Sequence, residues 1–171
     1  MAKFEIITAS RKHAKDILSS QLRWKIVGVI SIENPKTPIP AEVKSLRKPV
    51  LRLEFHNIDD RVLSVADTSG YRAPMPGDIN SIIRFGKKLI KEADKNGGII
   101  LCHCHMGLNR STACALILRS IYLGKGKEKL AARQLEIENP AAMPNLRMIS
   151  IADRMLERKG NLLRSALVLH P

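Results

Sequence analysis

Residues 102–111 read Cys102-His103-Cys104-His105-Met106-Gly107-Leu108-Asn109-Arg110-Ser111. The backbone between Cys104 and Arg110 is long enough to curl around a small anion. Successive N–H groups in such a turn point inward and make a concave anion site. Gly107 admits the positive φ that a tight curl needs, and the guanidinium of Arg110 matches phosphate oxygens with two parallel donors. A thiol in that field ionises readily: free cysteine titrates at about 8.5, and helix N-termini and cations bring the value to roughly 3.5–7.5. The pattern predicts that Cys104 attacks the phosphorus of a bound phosphate ester. The backbone of His105, Met106, Gly107, Leu108, Asn109 and Arg110 holds the phosphate. Ser111 hydrogen-bonds the thiolate when water releases it from the phosphocysteine. No metal or organic cofactor enters that scheme.

Such a turn works only if a strand delivers the cysteine and a helix receives the arginine. Gly98-Ile99-Ile100-Leu101-Cys102 is short, apolar and β-branched at its start, the pattern of a buried strand. Ser111 to Tyr122 is apolar with small residues and predicts a buried helix, whose N-terminus adds positive potential to the site. Upstream, Phe4 to Thr8, Trp24 to Ile32 and Val50 to Phe55 read as strands. Ser10 caps a short helix that runs to Leu18, and Asn34 to Pro40 is a proline-rich loop. The segment from Asn57 to Gly77 is irregular and is expected to shape the rim of the pocket. Gly77-Asp78 opens a helix that ends near Asp94. Three further helices are predicted, from Lys125 to Ile137, Asn145 to Arg158 and Asn161 to Val168. The expected architecture is a single α/β domain over residues 1–171, a central sheet flanked by helices with a helical C-terminal half.

The run His103-Cys104-x-x-Gly107-x-x-Arg110-Ser111 resembles the signature of the protein tyrosine phosphatase superfamily, in its compact dual-specificity-like branch. Two other segments extend the likeness. Val50 to Phe55 resembles the strand before the general-acid loop. Asn139-Pro140-Ala141-Ala142-Met143-Pro144-Asn145, followed by Ile151-Ala152-Asp153, resembles the C-terminal part of short bacterial phosphatase-like proteins. The resemblance covers most of the chain. It implies a cysteine phosphatase-like fold and metal-independent hydrolysis of a phosphorylated protein or other phosphomonoester, of the tyrosine or dual-specificity type. It also implies an aspartate general acid in a Phe-x-Asp pattern. Here that place reads Phe55-His56-Asn57, and an amide does not supply the proton. Asp59 or Asp60, the nearest carboxylates, is the expected acid; Asp59 keeps strand parity with Phe55 and Asn57, and Asp67 lies further on. Asn57 also supports a second reading, a phosphate-binding pseudophosphatase that recognises a phosphorylated partner without turnover.

Lys and Arg number 29 against 16 Asp and Glu, a formal charge of +13 that favours anionic partners, phosphate-like anions among them. The basic residues are spread along the chain, so nucleic acid is not indicated as a partner. Lys125-Gly126-Lys127 lacks the residue order of a nucleotide-binding loop. The three cysteines, Cys102, Cys104 and Cys114, lie in one segment, which fits a reduced cytoplasmic setting better than a secreted disulfide framework. On oxidation, Cys102 or Cys114 is the expected partner of Cys104. No signal peptide and no membrane-spanning segment is expected. On a strand, Cys102 and Cys104 share one face and the two histidines take the other, and no second Cys/His pair has zinc spacing, so no metal site is expected. His103 is expected to order the loop by hydrogen bonding to backbone.

Overall fold

The computed structural model describes residues 4–60, 63, 67 and 69–170. Four parallel strands lie at its centre: β1 (Phe4–Ser10), β2 (Ile26–Glu33), β3 (Val50–Glu54) and β4 (Gly98–Cys104), in the order β1-β4-β2-β3. Around them pack α1 (Arg11–Ser19), α2 (Ala41–Lys44), α3 (Pro76–Asn96), α4 (Arg110–Leu123), α5 (Glu128–Glu138), α6 (Leu146–Met155) and α7 (Asn161–Leu167). Strand β4 has neighbours on both edges and helices over both faces, which explains its unbroken apolar run.

Alternation along the strands divides the interior in two. Ile30, Ile32, Ile100, Cys102 and Cys104 join the larger core beneath α3 to α7. Val29, Ile99 and Leu101 face the other way, onto Ala14, Ile17 and Leu18 of α1 and Val43 of α2. His103, paired in register with Ser31, belongs to this second side. Helix α4 is buried along most of its length. A Cβ on Gly86 would lie 2.1 Å from Leu118 Cδ2, so the bare glycine is what lets α3 approach α4. The outer edge of β1 is covered by side chains: Glu138 Oε1 accepts from the Thr8 N–H at 2.8 Å, and Arg119 donates to the Ile6 carbonyl at 2.5 Å.

Several boundaries differ from the expected ones. Trp24 is not in a strand. It sits in a 3₁₀ turn, Gln21–Lys25, with its side chain 80% exposed. The pairing explains this: β2 meets β4 first at Ile26 opposite Ile99, and β4 begins at Gly98, so Trp24 has no strand beside it. Helix α3 starts at Pro76, a first-turn position that suits proline, and Asp78 Oδ2 accepts from the Met75 N–H at 2.8 Å. A turn over Gly124 and Gly126 delays α5 to Glu128, and left-handed backbone at Glu157 and Lys159 follows the end of α6. No helix among the described residues is long and apolar enough to cross a membrane.

Candidate active site

Strand β4 ends on Cys104 and α4 begins on Arg110, so the turn between them joins the central strand to the buried helix. Cys104 is 2% exposed. Its Sγ accepts a hydrogen bond from the Gly107 N–H at 3.3 Å and lies 3.2 Å from Ser111 Oγ. The carbonyls of the turn are held outward by other parts of the chain. Arg11 N–H donates to His105 O at 3.1 Å, Asn139 Nδ2 to Gly107 O at 3.1 Å, Met143 N–H to Leu108 O at 2.9 Å, and Asn145 N–H to Asn109 O at 3.1 Å. Carbonyls turned out leave the concave side of the loop to N–H groups, as an anion cradle requires. Gly107 has φ +77°, and a Cβ there would lie 2.5 Å from Ser10 N, so the curl is pressed against the corner between β1 and α1.

Arg110 is buried, and its Nη1 is used twice: it donates to Phe55 O at 2.6 Å and to Asn34 Oδ1 at 2.9 Å. Burial pulls the group below the ordinary guanidinium range, while the Cys104 and Glu33 charges push it back up. Nε and Nη2, the other edge of the fork, make no hydrogen bond to the described residues. The ends of β2 and β3 thus orient the arginine and leave its bidentate edge for a ligand.

The cleft over Cys104 has a volume of about 490 Å³. Asn34, His56, Asn57, Ile58, Asp67 and Tyr71 form its walls, with His105, Met106, Asn109 and Arg110 at the floor and rim. The 57–77 segment therefore does border the pocket, through its described residues. The strand parity expected for Asp59 does not hold. β3 ends at Glu54, and the backbone turns at Asn57, where the Ile58 N–H donates to His56 O at 3.0 Å. Asp60 pairs with Arg147, and neither Asp59 nor Asp60 lines the cleft; Asp67 does. Asp67 Oδ1 accepts from the Ser69 N–H at 2.9 Å, which holds its carboxyl below the usual carboxylate range. Asn57 Oδ1 accepts from Asn145 Nδ2 at 3.0 Å.

His103 also departs from expectation. It makes no backbone hydrogen bond: both ring nitrogens are buried without a hydrogen-bond partner among the described residues, and Nδ1 stands 3.8 Å from Glu33 Oε1. Burial, then the charges of Arg52 and Arg11, lower its pKa to about 4, so the ring is neutral near pH 7. Cys102 and Cys114 are free, fully buried thiols, and burial, with Cys102 alongside, pushes Cys114 well up. A larger cavity, about 1240 Å³, opens around Trp24 and Lys88 at the far ends of the strands and holds none of the cradle groups. Among the described residues no cluster of three or more His, Cys, Asp and Glu side chains could hold a metal ion.

With the site in place, the chain can be compared with known proteins. No family model and no curated protein matches it. Solved structures do. Human DUSP28 superposes with a TM-score of 0.63 at 15% identity, over 92% of this chain and 93% of that one. The fold is that of the compact, dual-specificity-like protein tyrosine phosphatases. Tk-PTP in its active form aligns at 0.57 and 19% identity over 90% of each chain. PTPMT1 in complex with PI(5)P aligns at 0.57 and 14% identity over 95% of each. In this fold Ser111 lies beside Cys104, and Cys104 and Arg110 line one cleft. Sequence reasoning missed Asn34, the Phe55 carbonyl, Asn139 and Asn145 as supports of the cradle. The one available signal was that asparagines recur at the ends of apolar segments, where a side-chain amide can serve a neighbouring loop.

Proposed function

We propose that this chain is a cysteine-dependent phosphomonoester phosphatase of the tyrosine or dual-specificity type, acting as one domain in a reducing cytoplasm. The observation that carries the reading is the cradle itself: a thiol receiving an N–H from Gly107, outward carbonyls along the turn, and an arginine fork with one edge anchored and the other open. The phosphate of the substrate sits on the turn N–H groups and on Nε and Nη2 of Arg110. The Cys104 thiolate attacks phosphorus. An S–P bond forms, the P–O bond to the leaving group breaks, and that oxygen takes the electron pair and a proton. Water then attacks phosphorus and gives its proton to the carboxylate that supplied the first, and the S–P electron pair returns to Sγ, toward which the Ser111 hydroxyl donates a hydrogen bond.

For the first proton we favour Asp67 over Asp59 and Asp60, because it is the carboxylate that lines the cleft; the Ser69 N–H lowers its pKa, so it donates once pH falls or once the bound substrate has displaced that bond. Substrates are phosphorylated proteins or other phosphomonoesters; PTPMT1, a structural neighbour, holds the phosphoinositide PI(5)P. Asn57 favours the second reading, phosphate recognition without turnover, because it stands in the cleft wall where the acid is expected. Steady-state hydrolysis of an aryl phosphate with a good leaving group separates the two. Turnover that survives a chelator and is inhibited by vanadate supports the phosphatase. Tight vanadate binding with no turnover supports the second reading, and loss on chelation with rescue by zinc overturns both mechanisms.

A further inference from the structure

We infer that the Glu33–Asn34 corner sets the strength of the phosphate cradle, Asn34 holding the Arg110 fork in its binding orientation and Glu33 weakening its grip on the freed anion. The inference rests on the proposed site, though not on its turnover. The two residues are adjacent where β2 ends: Glu33 is its last residue and Asn34 follows it. Asn34 lines the cleft, and its Oδ1 accepts from Arg110 Nη1 at 2.9 Å. With Phe55 O on the same nitrogen, the fork is held at one end by two acceptors. Remove Asn34 and one acceptor remains, about which the guanidinium can turn.

Glu33 is different in kind. It is 1% exposed, and its Oε1 has no hydrogen-bond partner among the described residues. His103 Nδ1 lies 3.8 Å from that oxygen, on a neutral ring. The cations that could have paired with it are committed elsewhere. Arg52 donates to Ser31 Oγ, to the Thr37 carbonyl and to Glu54, and Arg11 donates to the Pro38 carbonyl. A buried carboxylate without a hydrogen-bonded partner is costly. Its field is felt at Arg110, which it stabilises as a cation. The same field opposes a phosphate dianion placed on the fork. Against Arg110 the corner therefore pulls two ways: orientation that favours the anion and a fixed negative charge that speeds its departure.

Isothermal titration of the whole chain with inorganic phosphate and with vanadate tests this directly. Asn34→Ala should weaken both anions about tenfold or more, the usual loss for a hydrogen bond to a charged group. Glu33→Gln should tighten both by about three- to tenfold, and Glu33→Asp, which keeps the charge, should stay near wild type. A purely structural role would weaken binding in every variant. Shifts in the same direction for Asn34→Ala and Glu33→Gln, or no shift in Glu33→Gln, overturn the inference. If Asn34→Ala does not fold, Asn34→Ser replaces it under the same criterion. Wild-type chain that binds phosphate but hydrolyses no ester defeats the phosphatase reading alone, because these titrations need no turnover.

Discussion

Cys104 and Cys114 flank the cradle, face the same core and are both buried, yet their surroundings have little in common. Cys104 receives the Gly107 N–H, lies beside Ser111 and stands near the Arg110 charge. Cys114 lies inside α4 against Cys102, and burial there pushes the thiol well up. Burial alone disfavours a thiolate, and Cys114 has only burial and neighbouring thiols around it. The difference between them arises within one helical turn of the N-terminus of α4, where peptide N–H groups are still unpaired.

The comparison breaks most visibly by removing each thiol in turn. Cys104→Ser should lower kcat by about 10⁴-fold or more, as loss of a nucleophile does elsewhere, and still bind vanadate. Cys114→Ser should stay within about twofold in kcat, since no step uses it, with its cost confined to stability. Arg110→Lys keeps the charge but loses the planar fork, so kcat/KM should fall by about 10²–10³-fold with little change in Tm. A Tm loss as large as the rate loss would mean that the arginine serves packing instead. The rim comes next. Asp67→Asn should slow esters of poor leaving groups by roughly 10²-fold and leave activated aryl esters nearly unchanged. Asn57→Asp should raise the rate on the same poor leaving groups, because the Asn145 amide can donate to an aspartate as it does to Asn57. No gain from Asn57→Asp would argue that position 57 does not reach the leaving oxygen.

The last effect falls on stability rather than rate and concerns His103, the buried neighbour of Cys104. Its ring titrates at about 4 in the fold against an ordinary 6.5. The unfolded chain therefore binds the proton first as pH falls. The associated stability is present above pH 6.5 and is lost as pH drops toward 4, by about 3 kcal/mol in all. Denaturant unfolding between pH 7 and pH 4 should show that slope, and His103→Gln should flatten it. An unchanged slope would mean that other groups carry the acid sensitivity.

The grouping of Cys104, Arg110 and Ser111 around one turn was legible because its parts are local: one strand, one turn and one helix start fall within a short window. The layered α/β arrangement was legible for the same reason, since strand alternation in β2 and β4 repeats within a few residues. The supports of the cradle were not, because Asn34, Phe55, Asn139 and Asn145 reach it only through the tertiary fold. Asn57 looked like a vacancy in the chemistry, but its amide is engaged by Asn145. Trp24 read as strand from its own type and its neighbours, and the missing partner beside it could not be seen without the register.

Three carbonyls of the cradle, those of Gly107, Leu108 and Asn109, receive donors from Asn139, Met143 and Asn145, all downstream of α5. During synthesis Cys104 and Arg110 therefore emerge well before these donors. Until Asn145 has followed, Leu108 O and Asn109 O keep only their local partners, the Thr112 hydroxyl and, for Asn109 O, the Ala113 N–H. A chain halted after α5 would carry the cysteine and the arginine without the donors that brace the turn from outside. The corner between β4 and α4 is thus finished only when the helical layer is, an early segment completed by a late one.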